Sequence, residues 1–158
     1  MRILGVDPGF ERLGIAVLEK NPGEGKERVL FSECFKTSAK LEFTKRLELI
    51  GAEIKKIIQI YKPGLLSIET LFLNTNQKTA MRVAEVRGLI IYEATRAGLM
   101  IFEASPPQVK MATTGYGRSD KTQINKMVKM LVNIEEDKTS DDELDAIAIA
   151  LTAFAHTK

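Results

Sequence analysis

Apolar residues come in short dense runs early in the chain and in widely spaced arrays later. Residues 2 to 7 form an apolar run that closes on an acid, Asp7. Residues 12 to 18, Arg-Leu-Gly-Ile-Ala-Val-Leu, predict a second strand, and the alternation over residues 28 to 35 predicts a third. The breakers in Asn21-Pro22-Gly23-Glu24-Gly25 mark the turn between these two. The period then lengthens. Phe43, Leu47, Ile50, Ile54, Ile57 or Ile58, and Tyr61 recur every three or four residues, which predicts a helix ended by Lys62-Pro63-Gly64. A short fourth strand, Leu65 to Glu69, leads to a long helix from about Thr75 to Ala97, with Gly98 placed as its C-cap. Met100 to Ala104 reads as a fifth strand, and Pro106-Pro107 suits a helix start. A glycine-rich loop, Thr114 to Asp120, precedes a helix from Lys121 to about Leu131, and a last helix runs from near Ser140 to about Ala155.

The order βββαβαβ followed by helices implies an α/β fold. Its mixed five-stranded sheet is flanked by helices, antiparallel on one side and parallel on the other. The 158 residues fit one domain, taken as residues 1–158, and suffice to bury a core. No repeat or low-complexity tract interrupts them.

Composition adds less. Hydrophobic residues make up 44% and charged residues 28%, as in ordinary globular proteins. The 23 basic and 21 acidic residues leave a net charge of +2, so any interaction with a charged partner depends on arrangement rather than on total charge. The lone cysteine, Cys34, cannot form an internal disulfide and reads as a small buried strand residue in a reducing compartment. No stretch has the apolar length of a membrane span, and the first residues lack the form of a signal peptide, so a cytoplasmic protein is expected.

The candidate chemistry lies in four acids. Asp7 and Glu69 each end an apolar strand, where ligands gather in open α/β sheets. A charge there is costly without a partner, and a divalent cation would supply one. Asp142 and Asp145, three apart on a helix, share a face. Four such acids could hold two Mg²⁺ ions in the arrangement used to cut phosphodiesters. The scarcity of His and Cys argues against zinc. Each acid also has an ordinary structural explanation. Asp7-Pro8-Gly9 could be a simple turn, and Glu69 a solvent-facing strand end. Asp141, Asp142 and Glu143 fall in a first helical turn that favours acids, and Ser140 with Glu143 fits a capping box. Asp141 competes with Asp142 for the third position, because 141 and 145 also share a face. Convergence of all four favours the metal site.

These residues resemble the RuvC family of Holliday-junction resolvases. The resemblance rests on Gly5-Val6-Asp7-Pro8-Gly9 with Gly14, and on Ser67-Ile68-Glu69 with Leu71-Phe72. It continues through Met81-Arg82-Val83-Ala84-Glu85-Val86-Arg87-Gly88, Gln108-Val109-Lys110, Gly115, Lys121-Thr122-Gln123-Ile124, and Asp142 to Ala150, and so covers nearly the whole chain in order. It implies a ribonuclease-H-like fold, a homodimer, and Mg²⁺-dependent nicking of four-way DNA junctions at two strands, leaving 5′-phosphate and 3′-hydroxyl ends. Mn²⁺ would serve as a substitute. Catalytic and metal-binding roles fall on Asp7, Glu69, Asp142 and Asp145, with Asp7 central, Glu69 on one ion, and Asp142 and Asp145 on the other. The three-residue spacing favours Asp142 over Asp141. Lys110 and Lys121 match lysines near the scissile phosphate, and Arg118 lies in the loop between them. Phe72 would stack on an unpaired base. The apolar second half of the long helix would meet a dimer partner, or alternatively serve as a central core helix. Contact with branch-migration proteins is a further family expectation.

The chain departs from the family pattern at its end, where Thr152-Ala153-Phe154-Ala155 replaces histidines that some relatives carry. Three rivals remain. A related nuclease on other branched DNA is the closest. A DNA-binding module without catalysis and an ATP-binding domain of the actin type are the others, and the chain is too short for the last.

Overall fold

The structure is a computed structural model that describes residues 1–71, 77–132, 134 and 139–157. Strands β1 (Arg2–Asp7), β2 (Arg12–Glu19) and β3 (Arg28–Lys36) form the antiparallel meander, and β4 (Leu65–Glu69) and β5 (Met100–Ala104) complete the sheet. The spatial order is β3-β2-β1-β4-β5, with β1 parallel to β4 and β4 parallel to β5. This is the mixed sheet that the element order predicts. Helices α1 (Phe43–Tyr61) and α2 (Gln77–Arg96) cover one face. Helices α3 (Pro106–Thr114), α4 (Lys121–Val132) and α5 (Asp141–His156) cover the other. The two residues assigned to the start of the second long helix, Thr75 and Asn76, lie outside the described residues.

Alternation along the strands sorts side chains between two cores. Leu4, Val6, Ile15, Val17, Leu66 and Ile68 join the α1–α2 core with Ile50, Ile54 and Ile57. Ile3, Ala16, Leu18 and Leu65 join the opposite core under α5. Because the period is two, Gly5, Asp7, Gly14, Ser67 and Glu69 must also face α5. Register then sets the acids side by side. Val6 pairs with Ile68, so the residues that follow, Asp7 and Glu69, end adjacent strands on one face.

Local signals set the helix ends. Gly98 takes φ 80° after α2, as its placement there requires, and Pro106 opens α3. Ser140 and Glu143 form a reciprocal capping box at α5, and Glu143 also accepts from Ser32 Oγ at 2.8 Å. Helix α1 ends differently from the glycine rule, since Lys62 itself adopts the left-handed cap at φ 49°.

Helix α5 lies close against the sheet. A Cβ on Gly5 would stand 2.2 Å from the Ala146 carbonyl oxygen and 2.8 Å from the Ala150 Cβ. A Cβ on Gly14 would stand 2.1 Å from the Asp142 carbonyl oxygen. Ser67 Oγ donates to the Ile149 carbonyl at 2.7 Å and ties the middle of the helix to β4. Neither glycine can gain a methyl unless α5 moves. Gly14→Ala is expected to destabilise the fold by about 1–3 kcal/mol or more, and Gly5→Ala similarly. Thermal unfolding checks this, and an unchanged midpoint for both would show that α5 is free to lift.

Candidate active site

Asp7 ends β1 because Pro8 has no N–H to continue the ladder. Glu69 ends β4, where Arg87 Nε donates to its carbonyl at 3.0 Å and the Arg87 guanidinium pairs with Glu103. Asp145 lies one turn into α5. These three acids line a single cleft of about 290 Å³ together with Lys110, Lys121 and Asp120. Lys121 Nζ donates to Asp145 Oδ2 at 2.9 Å and lies 4.0 Å from Asp141 Oδ2.

The remaining sequence candidates distribute as follows. Asp142 belongs to the same acidic group electrostatically, since its charge acts on Asp7. Its carboxylate does not line the cleft but is held by Arg12 and Cys34 on the β3 side. Asp141 is exposed and accepts from Asn125 Nδ2 at 3.0 Å, toward α4. Of the two competitors, Asp142 is thus the one directed at the sheet. Arg118 is exposed on the α3–α4 loop and does not itself line the cleft, although the next residues, Ser119 and Asp120, do. Phe72 lies outside the described residues.

Several groups were missed. Arg12 carried no sequence signal, being one basic residue near a turn. Cys34 is half-buried rather than fully buried, with its Sγ 3.4 Å from Asp142 Oδ2. Asp120 caps α4 reciprocally with Gln123, at 2.9 and 3.0 Å, a pairing that the Asp-x-x-Gln spacing could have disclosed. Gln108 likewise caps α3, accepting from the Ser105 backbone N–H at 2.9 Å.

The electrostatics of the cleft are those of acids short of positive charge. Burial, then the charges of Asp145 and Asp142, lift Asp7 to about 6 against the opposing pull of Lys121. Burial, then Asp7 and Asp145, lift Glu69 to about 7. Asp145 is also raised, again chiefly by burial, although Lys121 works against it. Asp142 alone of the four is lowered, first by its hydrogen bonds from Arg12. Among the described residues neither Asp7 nor Glu69 has an ion-pair partner, while Asp145 has Lys121 and Asp142 has Arg12.

Such a group suits a hard divalent cation. The donors are carboxylate oxygens, they are partly desolvated, and their mutual repulsion would be relieved by positive charge. Among the described residues no three acids, histidines or cysteines already stand in coordinating positions, so binding requires side chains to turn inward. Asp7, Glu69 and Asp145 could do so from the cleft walls. Asp142 would first have to leave Arg12.

A family profile described as "Crossover junction endodeoxyribonuclease RuvC" matches residues 3–153. A protein of that name from Halothermothrix orenii is 43% identical over 151 residues, covering 96% of this chain and 90% of that protein. One from Thermosipho melanesiensis is 40% identical over 158 residues, covering 100% and 99%. Among solved structures, "T. thermophilus RuvC in complex with Holliday junction substrate" superposes with a TM-score of 0.91 at 30% identity, covering 99% of this chain and 94% of that one.

Raised carboxylate values bind protons in the folded state that the unfolded chain releases near pH 4. Without metal, the stability that these groups contribute is complete below that pH and is lost as pH rises through about 6 for Asp7 and about 7 for Glu69. Asp7→Asn should therefore be more stable than the parent at pH 8 in chelator, by at most about 3 kcal/mol, and should lose that advantage at pH 4. Thermal denaturation at the two pH values checks it. A variant less stable at pH 8 would show that the carboxylate is already compensated.

Proposed function

The chain belongs to the RuvC family of crossover junction endodeoxyribonucleases, and from that footing we propose that it resolves four-way DNA junctions by nicking two strands symmetrically, leaving 5′-phosphate and 3′-hydroxyl ends. The observation that carries this reading is the convergence of Asp7, Glu69 and Asp145 with two lysines on one cleft. The acids do not encode a choice among branched DNAs, so a related nuclease on other branched DNA is the second reading.

The donor set fits magnesium, and Mn²⁺ would substitute. Asp7, Glu69 and Asp145 would hold the metal from three elements, with Asp142 as the fourth acid and two ions as the expected number. Bound there, the cations supply an activated water and charge stabilisation at the leaving oxygen. The chain's own residues do the rest. Lys110 and Lys121 place positive charge beside the acids, where a phosphate must come within reach of both. Release of Lys121 from Asp145 would make its ammonium available to the DNA backbone. Gly115 at φ 73° reverses the chain after α3 and returns it to bring Lys121 beside the acids.

Two nicks on a two-fold substrate suit a two-fold enzyme. Helix α2 supports a homodimer. Val86, Ile90 and Ala94 are buried against the sheet, while Met81 and Tyr92 on its outer side stay exposed. Phosphate contacts bind without selecting, so selection of a junction would come from dimer geometry and DNA distortion. Phe72 would stack on an opened base, and Arg118 would contact the backbone near the cleft. No described helix is long and apolar enough to cross a membrane. The reading places the protein in the cytoplasm with the chromosome, and branch-migration proteins are its expected partners there.

A labelled mobile four-way junction incubated with Mg²⁺ should yield paired symmetric nicks that matched duplex and three-way or flap DNA do not. Asp7→Asn should lose about a hundredfold or more in rate while still binding the junction. Lys110→Ala should weaken binding and flatten its salt dependence by about 0.9 in log–log slope. Equal cutting of the other branched DNAs would reassign the substrate. Binding without cutting under Mg²⁺ or Mn²⁺ would leave only a DNA-binding module.

A further inference from the structure

Beyond Asp142, on the side away from the cleft, lies a group of residues that the proposed reaction does not use. Asp7 pairs with Gly14 and Gly14 pairs with Cys34, so the three form one row across β1, β2 and β3. Alternation directs that row toward α5. The Asp142 backbone lies over the glycine in the middle of it. Its carboxylate therefore has Asp7 to one side and Cys34 to the other, and it is turned to the second. A single oxygen, Oδ2, accepts from Arg12 Nε at 2.9 Å, from Arg12 Nη2 at 2.5 Å and from Cys34 Sγ at 3.4 Å.

Arg12 is poorly rooted for a structural residue. Its side chain is 51% exposed, against 21% for Asp142. Its charge is directed at an acid that lies over the row formed by Asp7, Gly14 and Cys34. Asp142 and Asp145 are treated alike, each drawn to a basic side chain, Asp145 to Lys121 and Asp142 to Arg12. The difference is that Lys121 lines the cleft and Arg12 does not.

We infer that Arg12 is a displaceable counter-ion of the metal site, holding Asp142 toward β3 in competition with the cation and so setting the metal concentration at which the site loads. Arg12 is then a positioning residue that acts through Asp142. Cys34 completes the resting place of the carboxylate. When the cation takes Asp142, the exposed guanidinium is left beside β3 without its partner. The inference rests on the proposed role of Asp142 as a metal ligand.

The test is calorimetric titration of the 158-residue chain with Mn²⁺ in the absence of DNA. The proteins compared are the parent, Arg12→Gln, Asp142→Asn, the double variant, and Lys36→Gln as a control. Lys36 pairs with Arg12 across β2 and β3, so its loss removes the same charge nearby without touching Asp142. Arg12→Gln should bind Mn²⁺ roughly two- to fivefold more tightly than the parent, the range of a half-exposed ion pair. Asp142→Asn should bind more weakly. Adding Arg12→Gln to Asp142→Asn should change nothing further, and Lys36→Gln should bind like the parent. If Arg12→Gln binds Mn²⁺ equally or more weakly while Asp142→Asn is impaired, Arg12 does not compete and the inference fails, with the site assignment intact. Tightening of the same size in Lys36→Gln would also overturn it, as a general field effect. If Asp142→Asn binds Mn²⁺ like the parent, the assignment of Asp142 fails and the inference falls with it.

Discussion

Helix α5 can bring its acids to the sheet only because the sheet carries glycine, Gly5 and Gly14, at the two places where the helix backbone comes nearest. The Ala146 and Asp142 carbonyls occupy the space that side chains on Gly5 and Gly14 would fill. On the helix the contact is made by Ala146 and Ala150, the smallest residues that still favour a helix. A helix normally packs at a distance set by branched side chains. Here the backbones approach closely enough for short aspartates on two different elements to share one region. Capping at Ser140 and the Ser67 bond to Ile149 then fix how far the helix is advanced and turned. A shift of one residue in the β1–β4 register would send Asp7 or Glu69 into the α1–α2 core instead.

That closeness carries an electrostatic cost, and in the proposed function that cost is what favours a cation. Asp7 and Glu69 stand partly out of water beside one another and beside Asp145, and two lysines do not neutralise them. The protein without metal is therefore held in a less stable arrangement than an apolar cleft would give. A cation converts the repulsion into attraction, and the same imbalance that destabilises the fold favours metal binding. The cations Lys121 and Arg12 partly fill that role for the acids of α5.

Much of this was legible in the chain, because it follows from period and position. The apolar runs over residues 2 to 7 and 65 to 69 place Asp7 and Glu69 at strand ends, and the strand pairing then sets them on one face. The Ser140–Glu143 box fixes where α5 starts, and Gly98 the end of α2. The three-residue spacing of Asp142 and Asp145 put both on one helix face, although it could not reveal that their carboxylates would turn to different neighbours, Arg12 and Lys121. What remained hidden depends on tertiary approach. Gly14 reads as one small residue in a strand until α5 is laid over it. Arg12 is 130 positions from Asp142 in sequence, and no local pattern joins them. Cys34 was expected to be buried because its type usually is, but its strand lies at the sheet edge and α5 covers it only in part.

Close packing of α5 on the sheet brings acids of β1, β4 and α5 to one cleft, where a cation is expected to bind. Crystals grown with Mn²⁺ and measured for anomalous scattering test it directly. Manganese is expected on Asp7 and at least one of Glu69 and Asp145, at oxygen distances of about 2.0–2.3 Å, with the α5 backbone still seated over Gly5 and Gly14. Manganese found only elsewhere on the surface, or α5 lifted from those glycines, would contradict it.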